Sequence, residues 1–280
     1  MNRLNTMALS LLICTSLLQG VEENGNGVDT IKLNYETLDF TNSKKKRYGN
    51  RYGVEFGHKD KKNSIQAYLE KTKTKTAKIV PKDLDVNKFA LKYQYSLNSK
   101  DKLILSYATI SDNLMKETNG GDIFGLGYSN GEISFIQYLS DYPHFNVHQS
   151  DLKYTIKGKI KTTLIGKYIH LEDKNSNKFS KNAKTNYFTA GIKLHTHYNK
   201  FHFGAGAYFG KRIFAVMRDG FRVQHHAMEF KETYMTGVGY NINKNISTRL
   251  RYIYQKAKEA PINNDNVKVQ NVSLDFVYKF

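Results

Sequence analysis

The C-terminal stretch, residues 271–280, reads Asn-Val-Ser-Leu-Asp-Phe-Val-Tyr-Lys-Phe. Every second position from Val272 to Phe280 is apolar or aromatic, and polar residues occupy the alternate positions except at Val277. Successive side chains of a β-strand point to opposite sides, so this stretch has one apolar face and one polar face. About nine to eleven such residues, when tilted, cross the hydrocarbon core of a bilayer. The pattern therefore predicts a terminal strand that spans a membrane.

Three aromatic residues of this stretch carry a resemblance to a known class of protein. Phe276, Tyr278 and Phe280 resemble the terminal strand of bacterial outer-membrane β-barrels, which alternates in the same way and ends in Phe. The resemblance implies that these residues are the signal recognised by the barrel assembly machinery. It also implies that the chain is a porin-like protein of the outer membrane, because only helices and closed barrels satisfy their backbone within lipid.

The same alternation recurs along the chain and is clearest between Lys88 and Leu97. Asn130-Gly131 is a strong hairpin signal, and Asn199-Lys200 is predicted to close a second hairpin. The segments predict fourteen strands, with twelve as the alternative, joined alternately and without exception by short turns and longer loops. This arrangement is typical of an all-β, transmembrane, antiparallel up-and-down barrel with both termini in the periplasm.

The N-terminus has the features of a secretory signal. Arg3 precedes an apolar run from Met7 to Leu18, so residues 1–20 are predicted to be a signal peptide and residues 21–280 the barrel. The single cysteine, Cys14, lies in this signal, and disulfide bonds are therefore not expected in the exported protein. Mean hydropathy is −0.58, and no transmembrane helix is expected.

The formal net charge of +18 bears on the expected partners. A basic protein can bind nucleic acid, but export to the outer membrane argues against a nucleic-acid partner. Lipopolysaccharide headgroups, or small anions within the barrel, suit this charge better. No cofactor is expected.

The predicted inward faces of the clearer strands carry more basic than acidic side chains. The acidic ones are Glu36, Glu55, Glu70, Asp151, Glu229 and Asp275. The predicted pore-lining cations are Lys32, Arg51, Lys88, Lys92, Lys153, Lys157, Lys193, Lys231, Arg249 and Arg251. Basic side chains bias a pore toward anions. The alternative is that these charges pair across strands and only solvate the interior.

Three histidines form the tightest candidate constellation. If Asn199-Lys200 is a two-residue turn, His197 faces His202 inside the barrel, and His195 follows on the same face. Such imidazoles could bind zinc or copper, but polar residues in a watery lumen are the alternative interpretation. His144, His148, His225 and His226 are expected on loop surfaces.

A catalytic role is not expected. Ser129-Asn130-Gly131 resembles the Ser-Asn-Gly of outer-membrane phospholipase, whose motif has a histidine two residues before the serine. Gly127 stands at that position here, so the serine has no base to activate it.

Barrel size favours a channel. Eight strands enclose a lumen filled by side chains, whereas sixteen to eighteen leave an aqueous channel, and fourteen lies nearer the open limit. No segment is expected to be long enough to act as a plug. The sequence thus predicts passive diffusion of small hydrophilic solutes, anionic or neutral. The alternative is a closed structural or adhesive barrel whose basic loops bind lipopolysaccharide or a surface partner.

Overall fold

A computed structural model describes residues 27–114, 118–174 and 184–280. The predicted signal peptide, residues 1–20, and Cys14 lie outside the described residues. No helix in the described ranges is long and apolar enough to cross a membrane.

Within the described ranges, fourteen long strands and two short ones follow one another. The first seven are β1 (Val28–Thr41), β2 (Lys46–Lys59), β3 (Asn63–Thr76), β4 (Leu84–Ser96), β5 (Lys102–Asp112), β6 (Asp122–Ser129) and β7 (Ile133–Asp141). The next four are β8 (Phe145–Ile156), β9 (Lys161–Asp173), β10 (Asn186–Tyr198) and β11 (Phe201–Arg212). The short strands β12 (Val216–Met217) and β13 (Arg222–Val223) come next, and then β14 (Met228–Asn241), β15 (Ile246–Glu259) and β16 (Asn264–Lys279).

The fourteen long strands close into one antiparallel barrel, which confirms the predicted fold class and strand number. Each long strand pairs with its neighbours in the chain, and β1 pairs with β16 along twelve residues from Thr30–Lys279 to Thr41–Lys268. Backbone hydrogen bonds between Asp29 and Phe280 extend this seam. Closure removes both sheet edges, as a barrel in lipid requires.

Alternation along the strands separates two faces of the wall. Large apolar side chains such as Leu33, Phe124, Leu152 and Leu274 point outward and are exposed. Phe276, Tyr278 and Phe280 share this outward face, where lipid would cover them. The inward face carries the polar and charged residues together with a second set of apolar side chains.

The connections at the two ends of the barrel differ in length, but their alternation between short and long is less strict than predicted. One end, here called the turn end, carries Val28, Phe280 and short turns such as 60–62 and 199–200. The other, the loop end, carries the longer connections 77–83, 113–121, 174–185 and 213–227. Connections 42–45, 142–144 and 260–263 at the loop end are also short, so the predicted strict alternation was wrong.

Strand length explains this error. Strands at the loop end continue beyond their apolar stretch into polar sequence, as β3 does through Lys71–Thr76 and β2 does from Lys46. The backbone ladder needs no apolar side chains outside the membrane, so hydrophobic alternation alone placed these strand ends too early. Asn42 and Asn263, in left-handed backbone conformations, allow two of the short reversals.

The connection between β11 and β14, residues 213–227 and here called the inner segment, folds into the lumen. Ile213, Phe214, Ala215 and Val216 are fully buried there. The expectation that no segment could act as a plug was therefore wrong. A tight reversal at Arg218–Gly220 joins β12 to β13, with Arg218, Asp219 and Gly220 in left-handed conformations.

Because both termini are predicted to lie in the periplasm, we expect the loop end to face the outside of the cell, and protease treatment of intact cells tests this. Trypsin should cut at Lys44 and Lys45 in connection 42–45 and at Lys78 in connection 77–83, because both connections lie at the loop end. Ile79, the residue after Lys78, is 83% exposed. Lys61 and Lys100, in turn-end connections 60–62 and 97–101, should resist trypsin until the outer membrane is permeabilised. Lys71, Lys73 and Lys75 should be cut slowly, since they belong to the β3 ladder. Mass spectrometry of the fragments checks this. Cleavage at Lys61 and Lys100 alone in intact cells would show that the barrel has the opposite orientation in the membrane.

Candidate functional site

The inner segment is attached to one side of the lumen, the wall formed by β4–β10. Its apolar residues join a buried cluster with that wall, and Phe214 packs on Tyr142 and Phe145 at ring distances of 5.8 and 4.8 Å. Gln149 holds Val216 by two hydrogen bonds of 2.8 Å, one to its carbonyl oxygen and one from its N–H. Apolar burial with a satisfied backbone fixes the segment against this wall.

The tip of the inner segment carries one carboxylate among cations. Asp219 forms ion pairs with Lys153 of β8 and, at 3.6 Å, with Lys92 of β4. Burial opposes ionisation of Asp219, but Lys153 and Lys92 outweigh it and hold the pKa of the carboxyl well below its ordinary value. Asp219 is therefore ionised at neutral pH, and it anchors the tip to two strands.

A second set of contacts ties the inner segment to the opposite wall. Arg222 forms an ion pair with Glu36 of β1, and Arg51 bridges Glu36 and Glu70 at 3.0 and 3.2 Å. Lys88 contacts Glu70 at 2.6 Å. These charges lie on five strands, β1–β4 and β13, and each of the two carboxylates is held between cations, as buried charges require.

A cavity of about 310 Å³ remains between the inner segment and the wall formed by β10, β11, β14–β16, β1 and β2. It is here called the lumen cavity. Its charged lining residues are all basic: Arg51, Lys193, Arg212, Arg218, Arg222, Arg249 and Arg251. In the described chain no Asp or Glu lines it, because the carboxylates lie behind the arginines they pair with, as Asp275 does at 2.8 Å from Arg251.

Glycines on two adjacent strands leave room for this cavity. Gly204 of β11 and Gly237 and Gly239 of β14 line it with bare backbone. A Cβ at Gly237 would lie 2.7 Å from Arg251 Cγ and 2.9 Å from the Leu250 carbonyl oxygen, so a side chain there would displace Arg251. The glycine wall therefore lets long basic side chains lie across the lumen face.

The two ends of the lumen cavity differ in polarity. At the turn end, His195 and Arg249 line it and are exposed. At the loop end, the buried residues Leu38, Phe40, Phe230 and Val269 line it, and they belong to a second apolar cluster. His226 packs on Phe40 at a ring distance of 6.2 Å and also lines this end.

The predicted pore-lining cations fall into three groups. Arg51, Lys193, Arg249 and Arg251 line the lumen cavity. Lys32, Lys88, Lys92 and Lys153 face inward and form ion pairs with Glu55, Glu70 and Asp219. Lys157 lies in the turn after β8, and Lys231 lies at a bulge of β14 and pairs with Asp265 at 3.0 Å.

Three lining cations were missed by the sequence analysis: Arg212, Arg218 and Arg222. The first ends β11, and the other two flank the tip of the inner segment. A signal was present in the apolar run Ile213–Met217, since such a run in a loop is seldom left in water.

The histidines behave in two ways. His197 pairs with His202 across the hairpin as predicted, and the His202 ring lies 5.8 Å from His195 and 6.3 Å from His197. No group of three His, Cys, Asp or Glu among the described residues could hold a metal ion. His225 and His226 are 1% and 7% exposed, so their expected loop-surface position was wrong. Burial lowers the pKa of both well below the usual value and keeps them neutral.

The Ser129-Asn130-Gly131 motif forms the predicted hairpin turn. Gly131 has a left-handed backbone (φ 86°), and the N–H groups of Glu132 and Ile133 donate to Asn130 Oδ1 at 3.2 and 2.8 Å. The N–H of Gly131 donates to Ser129 Oγ at 3.4 Å. These contacts give the motif a structural explanation.

The fold is similar to those of solved outer-membrane proteins, although the sequence matches no protein-family model and no curated protein. The Acinetobacter baumannii outer membrane protein Omp33 is 10% identical, with a TM-score of 0.52, over 90% of this chain and 99% of that one. The Ralstonia pickettii toluene transporter TbuX is also 10% identical, with a TM-score of 0.52, over 92% of this chain and 90% of that one. The chain is thus a closed fourteen-stranded barrel with the fold of bacterial outer-membrane porins and transporters.

Proposed function

We propose that the protein is an outer-membrane channel through which small hydrophilic solutes, anionic or neutral, diffuse along the lumen cavity. The observation that carries this proposal is the charge of the cavity lining, which has seven basic side chains and, within the described residues, no acidic one. The barrel wall supplies the route across the membrane, and the inner segment sets its width.

The lining charge is not fully neutralised. Arg51, Arg222 and Arg251 pair with carboxylates outside the cavity surface. Lys193 and Arg249 form no ion pair in the described part of the chain, and Lys193 lies only over the Tyr208 ring, at 5.9 Å. Surplus positive charge in a confined space with low-dielectric walls concentrates anions. Salt weakens the effect, because the Debye length falls from about 10 Å at 0.1 M to about 3 Å at 1 M.

The reversal potential in a KCl gradient tests this proposal. We expect the wild-type channel to prefer chloride, more strongly at low than at high salt. Changing Lys193→Gln and Arg249→Gln together should reduce the preference without loss of folding, since neither side chain neutralises a buried acid. Lys88 and Lys92 stay unchanged, because each compensates a carboxylate. The matched control is Arg47→Gln with Lys268→Gln, which removes the same charge from exposed positions outside the cavity.

A wild-type channel that selects potassium would contradict the proposed charge preference. So would an equal loss of chloride preference in the control pair, since the effect would then come from overall charge.

One observation favours the alternative function. The apolar cluster at the loop end, with Phe40 and Phe230 buried, lines the lumen cavity on that side and disfavours the passage of a hydrated solute. A permanently closed barrel would serve a structural or adhesive role, with exposed lysines such as Lys44 and Lys45 binding lipopolysaccharide phosphates. Such a barrel gives no conductance steps in planar bilayers, whereas a channel does.

A further inference from the structure

Arg212 is fully buried, at 0% exposure, and it is the least exposed cation of the described residues. It lines the lumen cavity at the end of β11, and its guanidinium carbon lies 5.3 Å from the Tyr208 ring centre and 5.5 Å from that of Phe230. Its Nε donates to Gln224 Oε1 at 3.2 Å, and its Nη2 donates to Thr233 Oγ1. Its Nη1 has no hydrogen-bond partner in the described chain.

Other buried cations show what Arg212 lacks. Arg51, Lys88, Lys92 and Lys167 are the remaining buried lysine and arginine side chains of the described ranges, and each faces a carboxylate. Arg212 has aromatic rings and neutral oxygens around it and forms no ion pair within the same ranges. Burying a guanidinium without a counter-charge is strongly unfavourable, even beside aromatic rings. An anion that enters the lumen cavity would supply the missing charge.

The other residues that line the lumen cavity determine which chemical groups the anion can have besides its charged group. The lining of the lumen cavity includes the apolar side chains Leu38, Phe40, Met217, Val223, Phe230 and Val269, beside the polar side chains of Gln224, Thr233, Gln255 and Asn271. The apolar part of this lining favours an anion that also has an apolar body, because such a body loses no hydrogen bonds to water when it packs there. The cavity volume of about 310 Å³ lies at the lower end of the range typical of small-molecule sites.

We propose that the lumen cavity binds a small amphipathic carboxylate, with its carboxylate on Nη1 of Arg212 and its apolar body against Phe40 and Val269. A carboxylate suits a guanidinium because its two oxygens match the planar N–H donors. This inference rests on the proposed function and names the substrate class of the same cavity.

Equilibrium dialysis of labelled benzoate against the purified full-length protein, in a non-ionic detergent, tests the proposal. Arg212→Met removes the cation and retains much of the apolar volume. Arg47→Gln, which is exposed at the loop end, is the control for charge. Heat-modifiable electrophoretic mobility shows whether each variant is folded. Arg212→Met should fold at least as well as wild type, because removing an unpaired buried charge is not destabilising.

We expect wild type and Arg47→Gln to bind benzoate equally, and Arg212→Met to bind it about tenfold or more weakly, as loss of a charge-assisted hydrogen bond implies. Unlabelled benzoate should displace the label, whereas equimolar benzyl alcohol or chloride should not. The proposal is overturned by absent binding to wild type, by equal binding to Arg212→Met, or by equal displacement by chloride or the alcohol. An Arg212→Met variant that cannot fold would also overturn it, since Arg212 would then be structural. Dialysis does not depend on conductance, so failure here and failure of the channel are distinguishable.

Discussion

Changing Phe280→Asp, or deleting Phe280, should abolish most of the folded barrel in the outer membrane. The backbone of Phe280 closes the seam, donating to the Asp29 carbonyl at 3.1 Å and accepting from the Asp29 N–H at 3.3 Å. Its side chain is 56% exposed on the outward face and packs on Tyr278 at 5.6 Å. A charge or a missing residue at this position disturbs the place where the last strand joins the first, and lipid offers no water to the freed backbone groups. Heat-modifiable mobility of isolated outer membranes measures the effect.

The matched control is Phe201→Asp. Phe201 is an outward aromatic at the start of β11, near the same end of the barrel and similarly exposed, but far from the seam. It introduces the same charge into the lipid-facing surface without touching the seam between β1 and β16. We expect its folded level to fall much less. A normal level of folded barrel in the Phe280 deletion variant would show that the terminal strand has no special role in closure. An equal loss of folded barrel in both Asp variants would show the same.

Replacing residues 214–223 by a short Gly-Ser linker should raise single-channel conductance several-fold. The replaced residues include the apolar part that fills the lumen beside β4–β10 and the tip held by Lys92 and Lys153. The fourteen strands keep their complete hydrogen-bonded ring without them, so the barrel should still assemble. A ring of this size, emptied, lies close to those with aqueous channels.

The control for this variant is Asp219→Asn, which keeps the inner segment in place and removes one ion-pair partner of Lys153. Its apolar anchors, including Phe214 against Phe145, remain. Conductance should then stay within about twofold of wild type, because conductance follows the open cross-section of the lumen more than one charge. Unchanged conductance in the linker variant would show that the inner segment is not the constriction.

Alternation of side chains made the barrel predictable. Because the strand period is two, the pattern in Lys88–Leu97 or Asn271–Phe280 determines which face meets lipid, whatever the rest of the chain does. The hairpins at Asn130-Gly131 and Asn199-Lys200 were also predictable, because the local backbone preference of the turn residues fixes each hairpin. These signals are local, and the ring of antiparallel neighbours follows from them.

The content of the lumen was less predictable, because alternation gives the side of a residue and neither its depth nor its partner. Alternation puts Lys88 on the inward face, but its contact with Glu70 depends on the pairing register of β3 and β4. The destination of the inner segment depends on packing against strands far away in sequence. His225 and His226 show the consequence. Polar residues in a connection are expected on the surface, but these two are buried because the inner segment folds into the lumen.

Single-channel recording of the purified wild-type protein in planar bilayers shows whether the barrel is a channel. We expect discrete conductance steps, smaller than those of the linker variant lacking residues 214–223, because the inner segment restricts passage to the lumen cavity. Insertion is verified by recovering folded, heat-modifiable protein from the same membranes. Correctly folded protein that inserts and gives no steps above baseline would contradict the channel and leave the closed, surface-binding barrel in its place.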